Sequence, residues 1–280
     1  MTRMDDVRDD FQTVAGADGF AAIRENPAEA VIALDFDGVL APIVDDPASA
    51  RAHPRALPVL TRLAPLMRSV VIITGRPAAL AVEYGGFAGL DGLTVLGQYG
   101  RERWESGTLT APEEHPGVAE AREKLPRVLE AAGAPEGTHI EDKGHALAVH
   151  TRRTAEPQVA LERLRSILGA LAERTGLVVE PGRFVLELRP PGMDKGVALR
   201  DFVAERAAGA VLYAGDDLGD LAAYDAVDAL REDGLPGVKV CSGSAEVTAL
   251  ADRADLVVEG PEGVLRLLAD LADHADVRSG

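Results

Sequence analysis

A chain of 280 residues with 46% apolar and 27% charged side chains has the composition of an ordinary soluble globular protein, enough for a large domain carrying an inserted one. Its 29 basic residues against 46 acidic ones leave a formal charge of −17, which repels nucleic acid and anionic membranes, so neither is expected as a partner. A single cysteine, Cys241, excludes a disulfide framework and a thiolate metal site.

The opening MTRMDDVRDD is charged and lacks an apolar centre, so it does not read as a signal peptide. No stretch approaches the ~18 apolar residues of a membrane helix. A cytoplasmic, monomeric protein is the expectation. Residues 1–29 read as a weakly amphipathic arm. Beyond them, apolar runs of strand length recur: VIAL at 31–34, VVII at 70–73, LTVLG at 93–97, AVLYA at 210–214, VKVC at 238–241 and DLVV at 255–258. Helical spacing separates most of them. Leu57, Leu60, Leu63 and Met67 mark one helix, Val197, Leu199, Phe202 and Val203 a second, and Val264, Leu267, Leu268 and Leu271 a third. Strands alternating with helices predict an α/β fold with a central parallel sheet covered on both faces. Cys241, inside VKVCSG, reads as a buried structural thiol.

Residues 103–191 follow a different pattern. A polar turn (ESGTLTAPEEHPG) leads to a helix near 118–132, and HALAVH at 145–150 alternates like a strand. Pro157 opens a helix with Leu161, Leu164, Leu168 and Leu171 on one face and Gly176 as its stop. LVVE and FVLEL, joined through Pro181-Gly182, read as a hairpin. This segment is a smaller domain with antiparallel features, inserted into a larger one made of 1–102 and 192–280.

Chemistry gathers at strand ends. VIALDFDGVL delivers Asp35 and Asp37 into a glycine turn at a sheet's carboxyl edge, where open α/β sheets bind their ligands. Two carboxylates that close repel unless a cation or a shared proton compensates, so the pair predicts a metal and phosphate or carboxyl chemistry. A calcium loop also begins D-x-D, but it needs an oxygen ligand and then a glycine where Val39 and Leu40 stand. VVIITGR places Thr74 after the next strand, followed by Gly75 and Arg76. PPGMDKGVAL places Lys195 at a helix start with Asp194 as its N-cap, and AVLYAGDDLGD places Asp216, Asp217 and Asp220 after a buried strand. Nucleophile, hydroxyl, fixed positive charge and metal ligands at one edge are the kit for moving a phosphoryl group. Thr74 also fits a plain helix cap, and Asp217 a solvated turn residue or a partner for Lys195.

These motifs, in this order, resemble the haloacid-dehalogenase superfamily of phosphatases. The separation of 121 positions from Thr74 to Lys195 matches its branch with a large α/β cap inserted there. Within that branch the chain is similar to the trehalose-6-phosphate phosphatase family, through LDFDGVLAPI, ITGR, GQYGRE at 97–102, EDKGHALAVHTR at 141–152 and VLELRPPGMDKG at 185–196. The resemblance implies a Rossmann-like core with a parallel sheet and a smaller α/β cap. It also implies Mg2+-dependent hydrolysis of trehalose 6-phosphate through an aspartyl phosphate. In that scheme Asp35 attacks phosphorus, and Asp37 protonates the departing sugar oxygen and then activates water. Thr74 and Lys195 hold phosphoryl oxygens, and the metal sits on Asp35, the Asp37 carbonyl and Asp216, with Asp217 and Asp220 behind them.

The cap residues Glu141, Lys143 and Glu187 are implied to hold sugar hydroxyls. Arg76, Glu102, His150 and Arg152 are further candidates for sugar or phosphate. His145 and His150 alternate with apolar neighbours, which also fits a structural role, and His53, His115, His139 and His274 lack ligand spacing. Three positions depart from the family pattern. Val39 replaces a frequent threonine and can face the core, GDDLGDL lacks a threonine of the usual GDDxTDE, and Tyr99 stands where histidine is common. Sucrose phosphate or mannosyl-phosphoglycerate would suit the same core, while nothing suggests the bisphosphate activator of phosphomannomutases. A catalytically silent sugar-phosphate sensor would not need both Asp35 and Asp37.

Overall fold

The computed structural model describes residues 10–279 apart from 45, 183 and 244–247. In chain order the first part holds α1 (Val14–Glu25), β1 (Ala30–Leu34), α2 (Ala56–Leu63), β2 (Ser69–Ile73), α3 (Ala78–Gly85), β3 (Leu93–Gly97), β4 (Glu102–Glu105) and β5 (Thr108–Thr110). The middle holds α4 (Pro116–Ala131), β6 (His139–Asp142), β7 (Leu147–His150), α5 (Pro157–Thr175), β8 (Val178–Gly182) and β9 (Val185–Arg189). The last part holds α6 (Lys195–Glu205), β10 (Ala210–Gly215), α7 (Leu221–Glu232), β11 (Gly237–Gly243), α8 (Thr248–Ala251), β12 (Leu256–Glu259) and α9 (Gly260–Ser279). The first and last parts form one compact unit, and Ala111–Met193 forms the other.

Among the described residues the larger unit is built on an eight-stranded sheet ordered β12-β11-β10-β1-β2-β3-β4-β5. Pairing is parallel from β12 to β3 and antiparallel from there to β5. Successive strand residues point to opposite faces, and here both faces are covered. Ile32, Leu34, Val70 and Ile72 join Phe20, Ile23, Leu60, Leu63, Leu268 and Leu271 in one apolar layer. Val31, Ala33, Val71 and Tyr213 join Leu199, Phe202, Tyr224 and Val227 in the other. That double burial is why the strands read as unbroken apolar runs. Cys241 lies within the second layer, as its neighbours suggested.

Two features differ from expectation. Residues 14–25 are a core helix: Thr13 caps α1 by accepting from Gly16 N, and Phe20 and Ile23 are buried against the sheet. A side chain at Gly19 would place its Cβ 2.2 Å from the Gly237 carbonyl oxygen, so α1 seats its backbone directly on β11. The boundary near residue 103 also moves. β4 pairs antiparallel with β3 (Gly97↔Glu102 to Thr94↔Glu105), and Trp104 is buried in the larger core. Residues 103–110 therefore extend the large sheet, and the smaller unit begins at Ala111.

The smaller unit is a four-stranded antiparallel sheet, β6-β7-β9-β8, with α4 and α5 packed on one face. Leu147, Val149, Leu186 and Leu188 meet Leu125, Leu161, Leu164 and Leu168 there. The expected stop at Gly176 is a left-handed C-cap with φ 67°. By alternation Glu141, Ala148, His150 and Glu187 fall on the opposite face. Among the described residues no helix is long and apolar enough to cross a membrane.

If α1 is part of the core, Ile23→Ala should cost about 2–5 kcal/mol, as for other buried aliphatic truncations. Urea denaturation measures it. A loss below about 0.5 kcal/mol would return α1 to a loosely attached arm.

Candidate active site

Pairing of β1 with β10 continues one residue past the strand, because Asp35 N donates to the Ala214 carbonyl at 2.9 Å. Phe36 then turns into the core edge-on to Phe87, and the chain reverses with Leu40 N and Ala41 N both donating to the Phe36 carbonyl. Gly38 sits in this turn at φ 70°, a left-handed conformation. A Cβ there would lie 2.0 Å from Asp216 Oδ2, so only glycine lets that carboxylate lie against the turn. Val39 is fully buried, facing the core.

The Asp35 carboxylate accepts from Phe36 N at 2.6 Å and pairs with Lys195 Nζ at 2.7 Å. Lys195 opens α6, whose N-cap Asp194 accepts from Val197 N as expected. Its buried ammonium reaches a second carboxylate, Asp220, also at 2.7 Å. Asp220 is fully buried and saturated: Oδ1 also accepts from Tyr213 Oη at 2.5 Å, and Oδ2 accepts from Asp216 N and Asp217 N at 2.9 and 3.1 Å.

Asp35, Asp216 and Asp220 each bring an oxygen within 4.8 Å of the others. Burial, reinforced by Asp220 and Asp216 and opposed by Lys195, pushes the Asp35 carboxyl well above the ordinary carboxylate range. Burial, with Asp220 and Asp217, raises Asp216 to about 8. Burial works against the Lys195 ammonium, yet Asp220 and Asp35 outweigh it and hold its pKa well above the ordinary value. One fixed cation cannot balance three buried carboxylates, so protons or a further cation must. Hard oxygen donors and excess charge fit a hard divalent cation. With Asp220 saturated, Asp35 and Asp216 are the side chains left to hold it.

Thr74 follows β2; its buried hydroxyl accepts from Arg76 N at 3.1 Å, leaving the O–H as a donor. Arg76 forks onto Asp37, with Nε to Oδ2 and Nη2 to Oδ1 both at 2.7 Å. Its guanidinium lies 5.4 Å from the Tyr84 ring centroid and 5.8 Å from that of Phe36. In the smaller unit, Lys143 Nζ lies 3.1 Å from Glu187 Oε1, and His150 Nε2 lies 2.8 Å from Glu141 Oε2. Glu141 and Glu187 flank Ala148 in register across the sheet.

A family model described as trehalose-phosphatase matches residues 33–257. The chain belongs to the trehalose-phosphatase family. It is 33% identical to the trehalose-phosphate phosphatase of Mycobacterium marinum over 97% of this chain and 67% of that protein. Its fold resembles the C-terminal domain of the Candida albicans trehalose-6-phosphate phosphatase, with a TM-score of 0.73 and 21% identity over 90% of this chain and 94% of that one. It also resembles a haloacid dehalogenase-like hydrolase of Bacteroides thetaiotaomicron, with a TM-score of 0.60 and 18% identity over 86% of this chain and 99% of that one. A member of the trehalose-phosphatase family is a phosphoric monoester hydrolase, and the family implies a divalent metal.

Several residues singled out in the sequence of this family member stand differently in space. Glu102, expected to touch sugar or phosphate, uses both oxygens internally, accepting from Ala78 N at 2.6 Å and Gln98 Nε2 at 2.7 Å. It anchors the start of α3 and the 98–100 turn. Arg76 grips Asp37. Asp217 is exposed and caps the next turn by accepting from Gly219 N at 2.8 Å, while the carboxylates paired with Lys195 are Asp35 and Asp220. Arg152 is exposed in the turn after β7. Tyr99 closes on the turn after β2, its hydroxyl filling the space where Gly75 lacks a Cβ. Tyr213 escaped notice because a tyrosine in AVLYA reads as core; the lysine–carboxylate pair beside it is the only hint.

Two outcomes follow. Gly38→Ala should lower divalent-cation affinity and turnover at least ~10-fold while the protein stays folded, because the Asp216 carboxylate must move. Calorimetry and circular dichroism on the variant check it, and unchanged affinity would contradict it. The second concerns pH. The raised Asp216 carboxyl keeps its proton in the folded chain up to about pH 8, so cation binding below that pH must release it. Affinity should rise with pH up to about pH 8, by up to ~10-fold per unit for each proton released. Metal-free stability should fall over the same window, because the folded state binds the proton that the unfolded chain has already lost. Calorimetry and thermal melts across this range test both signs.

Proposed function

We propose that the protein hydrolyses trehalose 6-phosphate to trehalose and phosphate, for trehalose biosynthesis, with Mg2+ as its metal and Asp35 as nucleophile. The observation that carries this reading is the buried Asp35–Lys195–Asp220 bridge at the sheet's carboxyl edge, in a chain of the trehalose-phosphatase family. Asp35, Asp216 and the Asp37 carbonyl would hold Mg2+, which when bound neutralises charge on the phosphate. Lys195 opposes the burial that favours the protonated Asp35 carboxyl, and its ammonium with the Thr74 hydroxyl steadies the phosphoryl oxygens in flight.

Asp35 Oδ attacks phosphorus, the bond to the sugar oxygen breaks, and an aspartyl phosphate remains. Asp37 gives its proton to the departing oxygen and takes one from the water that cleaves the intermediate, so the enzyme returns unchanged. For that, Arg76 must loosen its fork on Asp37, and the incoming dianion is the group that draws it away. Glu141, Lys143, His150, Arg152 and Glu187 of the smaller unit would recognise sugar hydroxyls; a small Ala148 between the two glutamates leaves room for one.

A panel of sugar phosphates with Mg2+ tests the assignment. Trehalose 6-phosphate should give the highest kcat/KM, and Asp35→Asn should lower kcat by at least ~10^4-fold without unfolding the chain. A higher value on sucrose phosphate or mannosyl-phosphoglycerate would replace the substrate, and unimpaired Asp35→Asn would remove the nucleophile.

A further inference from the structure

A serine far from every motif touches the nucleophile's turn. Ser242 stands next to last in β11 and is 1% exposed. Its hydroxyl donates to the Gly38 carbonyl at 2.5 Å, across 204 positions of sequence. β10 separates β11 from β1, and Cys241 lies in register with Gly215, the last residue of β10. Ser242 therefore lies one step further, alongside Asp216, and its hydroxyl reaches over the end of β10 to the turn.

The turn is held from three sides. Gly38 N donates to the Ala41 carbonyl at 2.7 Å, which fixes the peptide between Asp37 and Gly38. In a trans peptide the Asp37 carbonyl then points the opposite way, away from Ala41. The Asp216 carboxylate fills the space where Gly38 has no side chain. The Ser242 hydroxyl holds the next carbonyl, so the turn cannot rotate away from Asp216.

We infer that Ser242 is a positioning residue for the metal site, fixing the Asp37 carbonyl against the Asp216 carboxylate. This rests on the reading that those two groups, with Asp35, hold the divalent cation. The hydroxyl touches neither metal nor substrate and acts through the turn. Partners of this kind typically govern metal affinity by 10–100-fold. A serine that merely satisfied its own hydroxyl in a strand would leave the metal indifferent to its loss.

The test measures Mg2+ binding to metal-free protein, by calorimetry and by the rise in Tm that added MgCl2 produces. Ser242→Ala should raise the Kd for Mg2+ by ~10–100-fold and shrink the Mg2+-induced rise in Tm. Ser242→Thr keeps the hydroxyl and should stay within ~3-fold of the parent. Ser69→Ala, a buried serine at the start of β2 away from this turn, should leave the Kd unchanged. If Ser242→Ala does not fold, Ser242→Cys, with a weaker donor of similar size, takes its place in the same titration. Parental Kd in the hydroxyl-free variant, or equal loss in Ser242→Ala and Ser69→Ala, would overturn the inference. A parent that binds Mg2+ but hydrolyses no sugar phosphate would overturn the proposed activity and leave this inference standing. A parent that binds no Mg2+ would remove the metal reading itself.

Discussion

The Lys195 ammonium, buried between Asp35 and Asp220 at 2.7 Å from each, organises the larger unit's chemistry. Buried charges persist only when paired and hydrogen-bonded, and removing one partner of such a pair costs about 3–5 kcal/mol. Asp220 meets that demand completely, with four donors on two oxygens. Asp35 does not, and among the described residues Asp216 beside it has no such ring of donors. The lysine thus secures one carboxylate as scaffold and leaves two in need of a cation. Stability and reactivity share this cluster: the same crowding that raises Asp35 and Asp216 makes a divalent ion welcome there.

Fold topology makes the cluster possible. Parallel strands all end at one edge, so Asp35, Thr74 and Asp216, each just beyond a buried strand, converge without further design. Loops then refine what the strands bring together. Gly38 opens a void that the Asp216 carboxylate occupies, and Glu102 ties α3 to the turn after β3. Arg76, whose guanidinium lies near the Phe36 and Tyr84 rings, holds the Asp37 carboxylate in a two-point fork.

Much of this could be read in the sequence because buried parallel strands are continuous apolar runs, and the residue after each run is where chemistry sits. Asp35, Thr74 and Asp216 were legible for that reason, and Lys195 as the first residue of a helix behind its Asp194 cap. β6 was not: HIED carries a single apolar residue, since its open face is polar and only Ile140 reaches the helices. β4 and β5 are short, largely polar strands at the antiparallel end of the sheet whose partners identify them, and partners are not written locally. The α1 helix looked weak because two of its buried residues are glycines, chosen for close approach and not for hydrophobicity. Glu102 has the right chemistry for a ligand, and only its contacts show that it holds α3. Ser242 and Gly38 lie 204 residues apart, a separation at which no local pattern speaks.

Trapping the covalent intermediate tests the central claim most directly. The enzyme is mixed with substrate carrying radiolabelled phosphate, quenched in acid within a single turnover, and mapped by peptide. The account predicts label on the peptide containing Asp35, released by hydroxylamine as an acyl phosphate would be. Label on a different residue, or substrate consumed at full rate with no phosphate ever on the protein, would contradict it.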